Sequence, residues 1–339
     1  MRRAPTNRVH RVLGTLAVAA GVSFAAAPLR AQGGVTTSGG PELLVPVGAQ
    51  ATGMGEAVVA DFLGSESVWW NPAALGRATR REIAIHHTQN FVLTGDALSV
   101  VLPAASIGTL ALSVDLDSYG TQDITDATGT YGTFTPRATI LAGSFAGHVG
   151  TRAYLGVNYK LYHMGISCSG GCVGVPSTSA STTALDLGVQ VRVSRDSSLY
   201  VGAALRNVGP RLQVNDAPQA DALPTRLDLG VTWAPHIASL GPDAQLRLAA
   251  GVVNAIPANS VVNAGAGGSL GIRLGAELGW QQKVHVRMGY AQAAPYGSGP
   301  TIGVGGSTGR FEMDISRMFS DSQANTGQPP TYLSLRLVF

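Results

Sequence analysis

The chain has 339 residues, of which 44 are glycine and only 13% are charged, with a formal net charge of +3. An average soluble protein is about 25% charged and about 7% glycine, so this composition argues against a cytosolic enzyme. The excess positive charge is too small to favour nucleic acid as a partner.

Taken in order, Met1, Arg2, Arg3, Arg8 and Arg11 precede an apolar run at 12–27. A basic start followed by such a run reads as a secretory signal peptide, here residues 1–31 with cleavage after Ala31. The run is shorter than the ~20 residues of a membrane-spanning helix, and no cysteine follows the cut to carry a lipid. Residues 32–47 are rich in Gly, Ser and Thr and read as a loose lead-in.

Residues 48–76 are the one apolar helical stretch expected after the leader. Met54, Ala57, Val58 and Phe62 fall at roughly helical spacing within 51–63. Gly53 and Gly55 interrupt them, and each glycine costs a helix about 1 kcal/mol. Such a helix needs walls around it. Trp69 and Trp70 follow, and Asn71-Pro72 marks a turn. The expectation is a short helical plug, within 32–80, held in the lumen of a closed sheet formed by 81–339.

From residue 81 the pattern changes to period two. Leu185, Leu187, Val189, Val191 and Val193 share one face, with Asp186, Gln190 and Arg192 on the other; 269–280 and 331–339 repeat this. The segments predict about 14 strands, near 81–91, 96–103, 107–118, 135–147, 151–165, 181–195, 197–207, 224–234, 243–254, 269–280, 282–291, 300–308, 310–319 and 331–339. Most reach the ~9–11 residues of a tilted membrane strand, and an even number suits a bacterial up-and-down barrel. Short turns near 147–150, 195–197, 281–282 and 308–309 alternate with long connections at 119–134, 166–180, 208–223, 255–268, 291–299 and 320–330. Between them these features predict an all-β, transmembrane antiparallel barrel.

A soluble sandwich also alternates, but its polar face would carry many Lys and Glu. Here that face carries Gly, Ala, Ser and sparse charges of both signs: Asp186, Arg192, Arg206, Arg226, Asp228, Arg247, Arg273, Glu277, Arg287 and Arg336, with Asp115, Glu312 and Asp314. These are expected to pair across a lumen, since facing lipid an Arg costs about 2–4 kcal/mol at mid-depth. A propeller would need a 40–50-residue repeat, and none is present. Cys168 and Cys172 suit a small disulfide in an exported chain. Two more ligands would be needed for metal. The aromatics Trp233, Trp280, Tyr154, Tyr159, Tyr162, Tyr200, Tyr290, Phe319, Tyr332 and Phe339 are expected to supply interfacial girdles. Ending on Phe339 with Tyr332, Leu335 and Leu337 resembles the signal read by outer-membrane assembly machinery.

Catalytic chemistry is not indicated. His86 and His87 point to opposite faces of one strand, His285 faces the lumen without a serine partner, and the glycine runs at 265–268 and 303–306 lack the helix, Lys and Thr of a phosphate loop. No cofactor is expected.

The run Gly53-Met54-Gly55-Glu56-Ala57-Val58-Val59-Ala60-Asp61, followed by Trp70-Asn71-Pro72-Ala73-Ala74-Leu75, resembles the N-terminal signature of the PorV/PorQ (UPF0164) outer-membrane proteins, relatives of the FadL transporters. A second match joins Ala204-Leu205-Arg206-Asn207-Val208-Gly209-Pro210 to Leu223-Pro224-Thr225-Arg226-Leu227. The family usually has Gly where Glu56 stands, a departure that bears on plug packing. The resemblance implies a plugged barrel in the outer membrane of a Gram-negative-type bacterium that transports or holds hydrophobic small molecules; because glycine weakens strand pairing, a segment such as 265–275 is the expected place of a lateral gap. Alternatively, the resemblance implies a secretion adaptor that docks secreted cargo proteins through its long loops. A soluble periplasmic binding protein is the third possibility. Gly55→Trp is expected to leave the barrel folded and alter permeation.

Overall fold

The computed structural model describes residues 39–104, 107–127, 129–172, 178–214, 220–256, 270–294, 297–320 and 329–339. The predicted leader, the start of the lead-in and the glycine run at 265–268 lie outside the described residues.

Fifteen strands form one antiparallel sheet. They are β1 (Glu82–Gln89), β2 (Thr94–Ala104), β3 (Gly108–Ser118), β4 (Gln122–Asp126), β5 (Gly129–Val149), β6 (Ala153–Gly170), β7 (Thr178–Arg192), β8 (Leu199–Val208), β9 (Arg226–Trp233), β10 (Ala244–Ala255), β11 (Leu270–Trp280), β12 (Val284–Ala294), β13 (Gly297–Thr308), β14 (Phe311–Met318) and β15 (Thr331–Val338). Each strand of the wall pairs with its sequence neighbour, except that β3 bypasses β4 to pair with β5. β1 pairs with β15, Ile83 opposite Leu337, which closes the ring. β4 pairs only with the outer part of β5. It is therefore an extra hairpin strand, and the closed wall has fourteen.

The period-two pattern sets which way each residue looks. In β2 the odd members Ala97, Ser99 and Val101 are buried while Leu98 and Leu102 are exposed. In β11 Arg273 and Glu277 are buried while Ile272, Leu274 and Leu278 are exposed. An inside-out wall of this kind suits hydrocarbon outside and polar groups within. The same parity corrects part of the predicted girdle. Trp233, Trp280, Tyr290, Phe319 and Phe339 are exposed, but Tyr162, Tyr200 and Tyr332 are buried, because each occupies an inward position of its strand. Tyr332 packs with Ala49, Ala291 and Met318, on the opposite face from Leu335 and Phe339.

The long connection expected at 119–134 is mostly strand, since β4 and the outer half of β5 make a hairpin. β5 and β6 pair from Val149/Ala153 out to Gly132/Gly170. Cys168 and Cys172 form a disulfide at the outer end of this ribbon. The expected wall gap is not found among the described residues: the β10–β11 ladder runs unbroken from Ala244/Trp280 to Asn254/Leu270. Arg192 departs from the other inward charges. It lies at the last residue of β7, where its half-buried side chain donates to the Thr151 carbonyl and the Ser197 hydroxyl of the short-turn end.

Candidate functional site: the lumen and the segment inside it

Residues 39–80 run through the ring and touch walls on opposite sides of it. Ala49–Gly53, an α-helical turn, lies on β12–β15, whereas Pro72–Arg77, a 3-10 turn, lies on β5–β7. The segment is therefore inside the barrel, and nearly all of it is buried. It is not the helix expected over 51–63. Helix ends at Gly53, and Gly55 (φ +61°) and Glu56 (φ +59°) turn the backbone left-handed. A left-handed residue is cheap only for glycine, so Glu56 accepts a strained position. Its carboxylate meets Arg273 at 3.2 Å, which accounts for a charge at this point.

The wall receives this backbone at inward glycines. Gly275 on β11 and Gly289 on β12 are cross-strand partners, and a Cβ on either would stand 2.4 or 2.3 Å from the backbone at Met54 and Gly55. Conversely, a Cβ on Gly55 would meet the Leu274 carbonyl at 2.3 Å and the Tyr290 amide at 2.5 Å. Further round, the pairs Gly156–Gly188 and Gly202–Gly230 seat Pro72, Asn71 and Val59 in the same way. Sequence reading took strand glycines as bends or gaps. Their real partners lie more than eighty residues away, and nothing local announces them.

Polar groups then fix the register of the segment. Asn71 donates to the Val59 carbonyl at 2.6 Å and accepts from the Ala73 amide at 3.0 Å, capping the Pro72–Arg77 turn. Gln190 of β7 donates to the carbonyls of Val59 and Asp61. Trp70 donates to the Val47 carbonyl at 3.0 Å, and the guanidinium carbons of Arg206 and Arg226 lie 5.4 and 5.9 Å from its ring. Met54 is fully buried between the segment and β11. The Glu66 carboxylate accepts from the Gln50 and Ala51 amides and from the Ser334 hydroxyl, tying the first turn to β15. Complete burial raises Glu66 from 4.5 to about 7; Arg336 and the two amides oppose the shift.

The predicted inward charges fall into linked sets. Arg287 joins Glu277 at 2.6 Å and also Asp314. Arg336 joins Asp314 and Glu312, and Arg247 bridges Glu277 and Asp61. Lys160, which sequence reading missed, pairs with Asp186 at 2.7 Å and donates to Asn207. Arg206 and Arg226, direct cross-strand partners, share Asp228. At the short-turn mouth a polar cavity of about 220 Å³ is lined by Arg80, Glu82, Arg247, Glu277, His285 and Arg336, among others. His86 is buried inside and contacts Ser65 and Ser334; His87 is outside, on Asp96. Among the described residues no group of three metal-ligating side chains converges.

No family model matches the chain, and no curated protein matches it in sequence. Its backbone does resemble solved structures. The toluene transporter TodX of Pseudomonas putida superposes with a TM-score of 0.58 at 12% identity, over 87% of this chain and 97% of that one. The Ralstonia pickettii toluene transporter TbuX gives 0.51 at 14%, over 87% and 97%. A FadL homologue of Pseudomonas aeruginosa gives 0.51 at 11%, over 87% and 99%. Identity this low speaks for the fold alone: the chain is a closed fourteen-stranded antiparallel barrel of the FadL-like kind.

Proposed function

We propose that the protein is an outer-membrane barrel that transports or holds apolar small molecules, with residues 39–80 as its plug. The observation that carries this reading is the seating of that segment, which fills the ring by backbone contact on wall glycines. Its apolar side chains Val68, Trp69 and Leu75 lie in one cluster with inward alanines of the wall. Likeness in fold to toluene transporters supports the apolar class of cargo. The ion-lined short-turn mouth is a poor exit for such a solute, since burying its apolar surface there gains little.

In this reading residues 1–31 are a removed leader, 32–80 the lead-in and plug, and 81–339 the barrel. In the same reading outer-membrane lipid surrounds the wall. The sequence signature around Gly53–Asp61 and Trp70–Leu75 favours the PorV/PorQ branch. The test is to express the chain in a strain lacking its own hydrocarbon channels and to follow uptake of radiolabelled toluene and oleate. Accumulation above an empty-vector control is expected for at least one of them. Uptake equal to the control, with no apolar molecule found by mass spectrometry in the purified barrel, would remove the proposal.

One feature favours a second reading, a secretion adaptor. The β4–β5–β6 ribbon, clipped by Cys168–Cys172, stands beyond the wall as a firm surface on the side of the long connections. Co-purification of secreted cargo, lost on deletion of residues 120–134, would support that role over transport.

A further inference from the structure

Among the described residues, one stretch of the outer apolar wall is hollowed. On β5 the outward positions run Val149, Gly147, Phe145, Gly143 and Leu141, then turn polar at Thr139 and Arg137. Gly143 has no side chain, and its cross-strand neighbours are large: Leu112 on β3 and Tyr159 on β6. The result is a trench along β5. Two adjoining hollows of about 430 and 340 Å³ share Val100, Leu112, Gly143 and Tyr159, with Leu98, Leu141 and Leu161 toward one end and Leu110 and Phe145 toward the other. Their walls are almost wholly apolar.

What lies at the head of the trench is basic and hydroxylic. Pairing sets Thr139 opposite His163, and His163 opposite Ser181, with a 2.8 Å contact between the His163 Nδ1 and the Ser181 hydroxyl. One step further out is Arg137, exposed and directly across from Ser118. Arg137 forms no ion pair among the described residues, in contrast to the paired arginines of the lumen. The nearest outward carboxylate in this row, Asp96, is held by His87. Thus a free guanidinium stands where the apolar belt meets its polar border, directly above a trench of acyl-chain character.

We infer that this trench is a binding site for an anionic phospholipid, its acyl chain lying over Gly143 between Leu112 and Tyr159 and its phosphate on Arg137 and His163. The charge argues for the headgroup, since guanidinium and phosphate make strong, geometrically matched hydrogen bonds. The bare glycine argues for the chain, since it leaves room between the large side chains of Leu112 and Tyr159. The inference rests on the placement of the barrel in a membrane but not on what the lumen carries.

The test uses the full barrel purified in a neutral detergent, with assembly of every variant checked by heat-modifiable migration on gels. Native mass spectrometry during titration with phosphatidylglycerol should give a retained one-lipid adduct. Phosphatidylcholine should bind about tenfold more weakly, a difference of about 1.4 kcal/mol. Arg137→Ala should abolish the preference, Arg137→Lys should keep part of it, and Gly143→Leu should weaken both lipids by filling the trench. Equal occupancy by phosphatidylglycerol in the wild type and Arg137→Ala would overturn the site. So would a dimer mass lost in Gly143→Leu, which would make a second copy the occupant. Arg137 is exposed, so its variants remain informative even if Gly143→Leu fails to assemble. Uptake of toluene or oleate is the readout for the lumen, and its failure would leave the lipid result standing.

Discussion

The two sides of the lumen hold the same inner segment by different means. On the β2–β7 side the wall offers Ala97, Ala111, Ala138, Ala142, Ala146 and Ala184, and the segment answers with Val68, Trp69 and Leu75. On the β10–β15 side it offers Arg247, Arg273, Glu277, Arg287, Asp314 and Arg336, together with the glycines that admit the backbone of residues 53–55. One side holds the segment largely by buried apolar area, beside the Lys160–Asp186 pair of β6 and β7. The other depends on complete pairing, because a buried charge that loses its partner costs far more than the pair contributed. The segment is thus held by a mainly apolar side and a mainly ionic one, which can be weakened separately.

Substitution at the glycine seat should break the comparison most severely. Sequence reading expects Gly55→Trp to spare the barrel and alter permeation; the structure adds the reason and a stronger outcome. A side chain there collides with the backbone of β11 and β12, which cannot step aside as a side chain could. The segment should be expelled from its seat while the ring, closed through β1 and β15, still forms. Planar-bilayer conductance should rise by an order of magnitude or more over the wild type. Unchanged conductance in a heat-modifiable, folded variant would show that the glycine seat does not hold the segment.

The ion-lined side is next. Arg287→Ala leaves Glu277 and Asp314 without their shared guanidinium, and breaking a buried pair costs roughly 3–5 kcal/mol. Urea unfolding from lipid vesicles should show a loss of that order, and Glu277→Gln with Asp314→Asn in the same chain should recover much of it. On the alanine side Leu75→Ala removes a fully buried side chain, at about 2–4 kcal/mol including the cavity left behind. Its loss should be the same at low and high salt. If both variants respond equally to salt, the contrast between the two sides is wrong.

How much of this could be read in advance follows from what each residue reports locally. Alternation along a strand is a local signal, and it placed all fourteen wall strands and the inward direction of Asp186, Arg206, Arg226, Asp228, Arg273, Glu277, Arg287 and Arg336. Arg192 shares that parity but lies at a strand end, and alternation says nothing about depth. Tyr162 and Tyr332 read as girdle residues because they are aromatic, yet parity turns them inward, where Tyr162 donates to Glu42 at 2.6 Å. The helix over 51–63 failed for a different reason. Its apolar spacing is met by a folded-back path with left-handed residues at 55 and 56, and only the surrounding wall selects that path. The glycine seats were illegible for the same cause, since a missing side chain does not say what fills its place.

The smallest expected effect concerns Glu66, which belongs to the ion-lined side but whose burial raises its pKa. Its value is raised to about 7 from 4.5, with burial as the main cause. In the unfolded chain the carboxyl ionises near 4.5, so between 4.5 and 7 the folded state binds more proton than the unfolded one. Stability from this group is therefore full below 4.5, falls as the pH climbs toward 7, and is flat above it. Glu66→Gln is neutral throughout and should lack that slope. It still accepts hydrogen bonds through one oxygen, so the first turn keeps part of its tie to Ser334. The unfolding free energy of the wild type relative to Glu66→Gln, from urea titrations, should drop between pH 4.5 and 7.5 by an amount on the order of 1–3 kcal/mol. A difference that is constant with pH would mean that the carboxylate stays ionised in the lumen, held by Arg336 against its burial, and would move Glu66 into the paired set with Asp314 and Glu277.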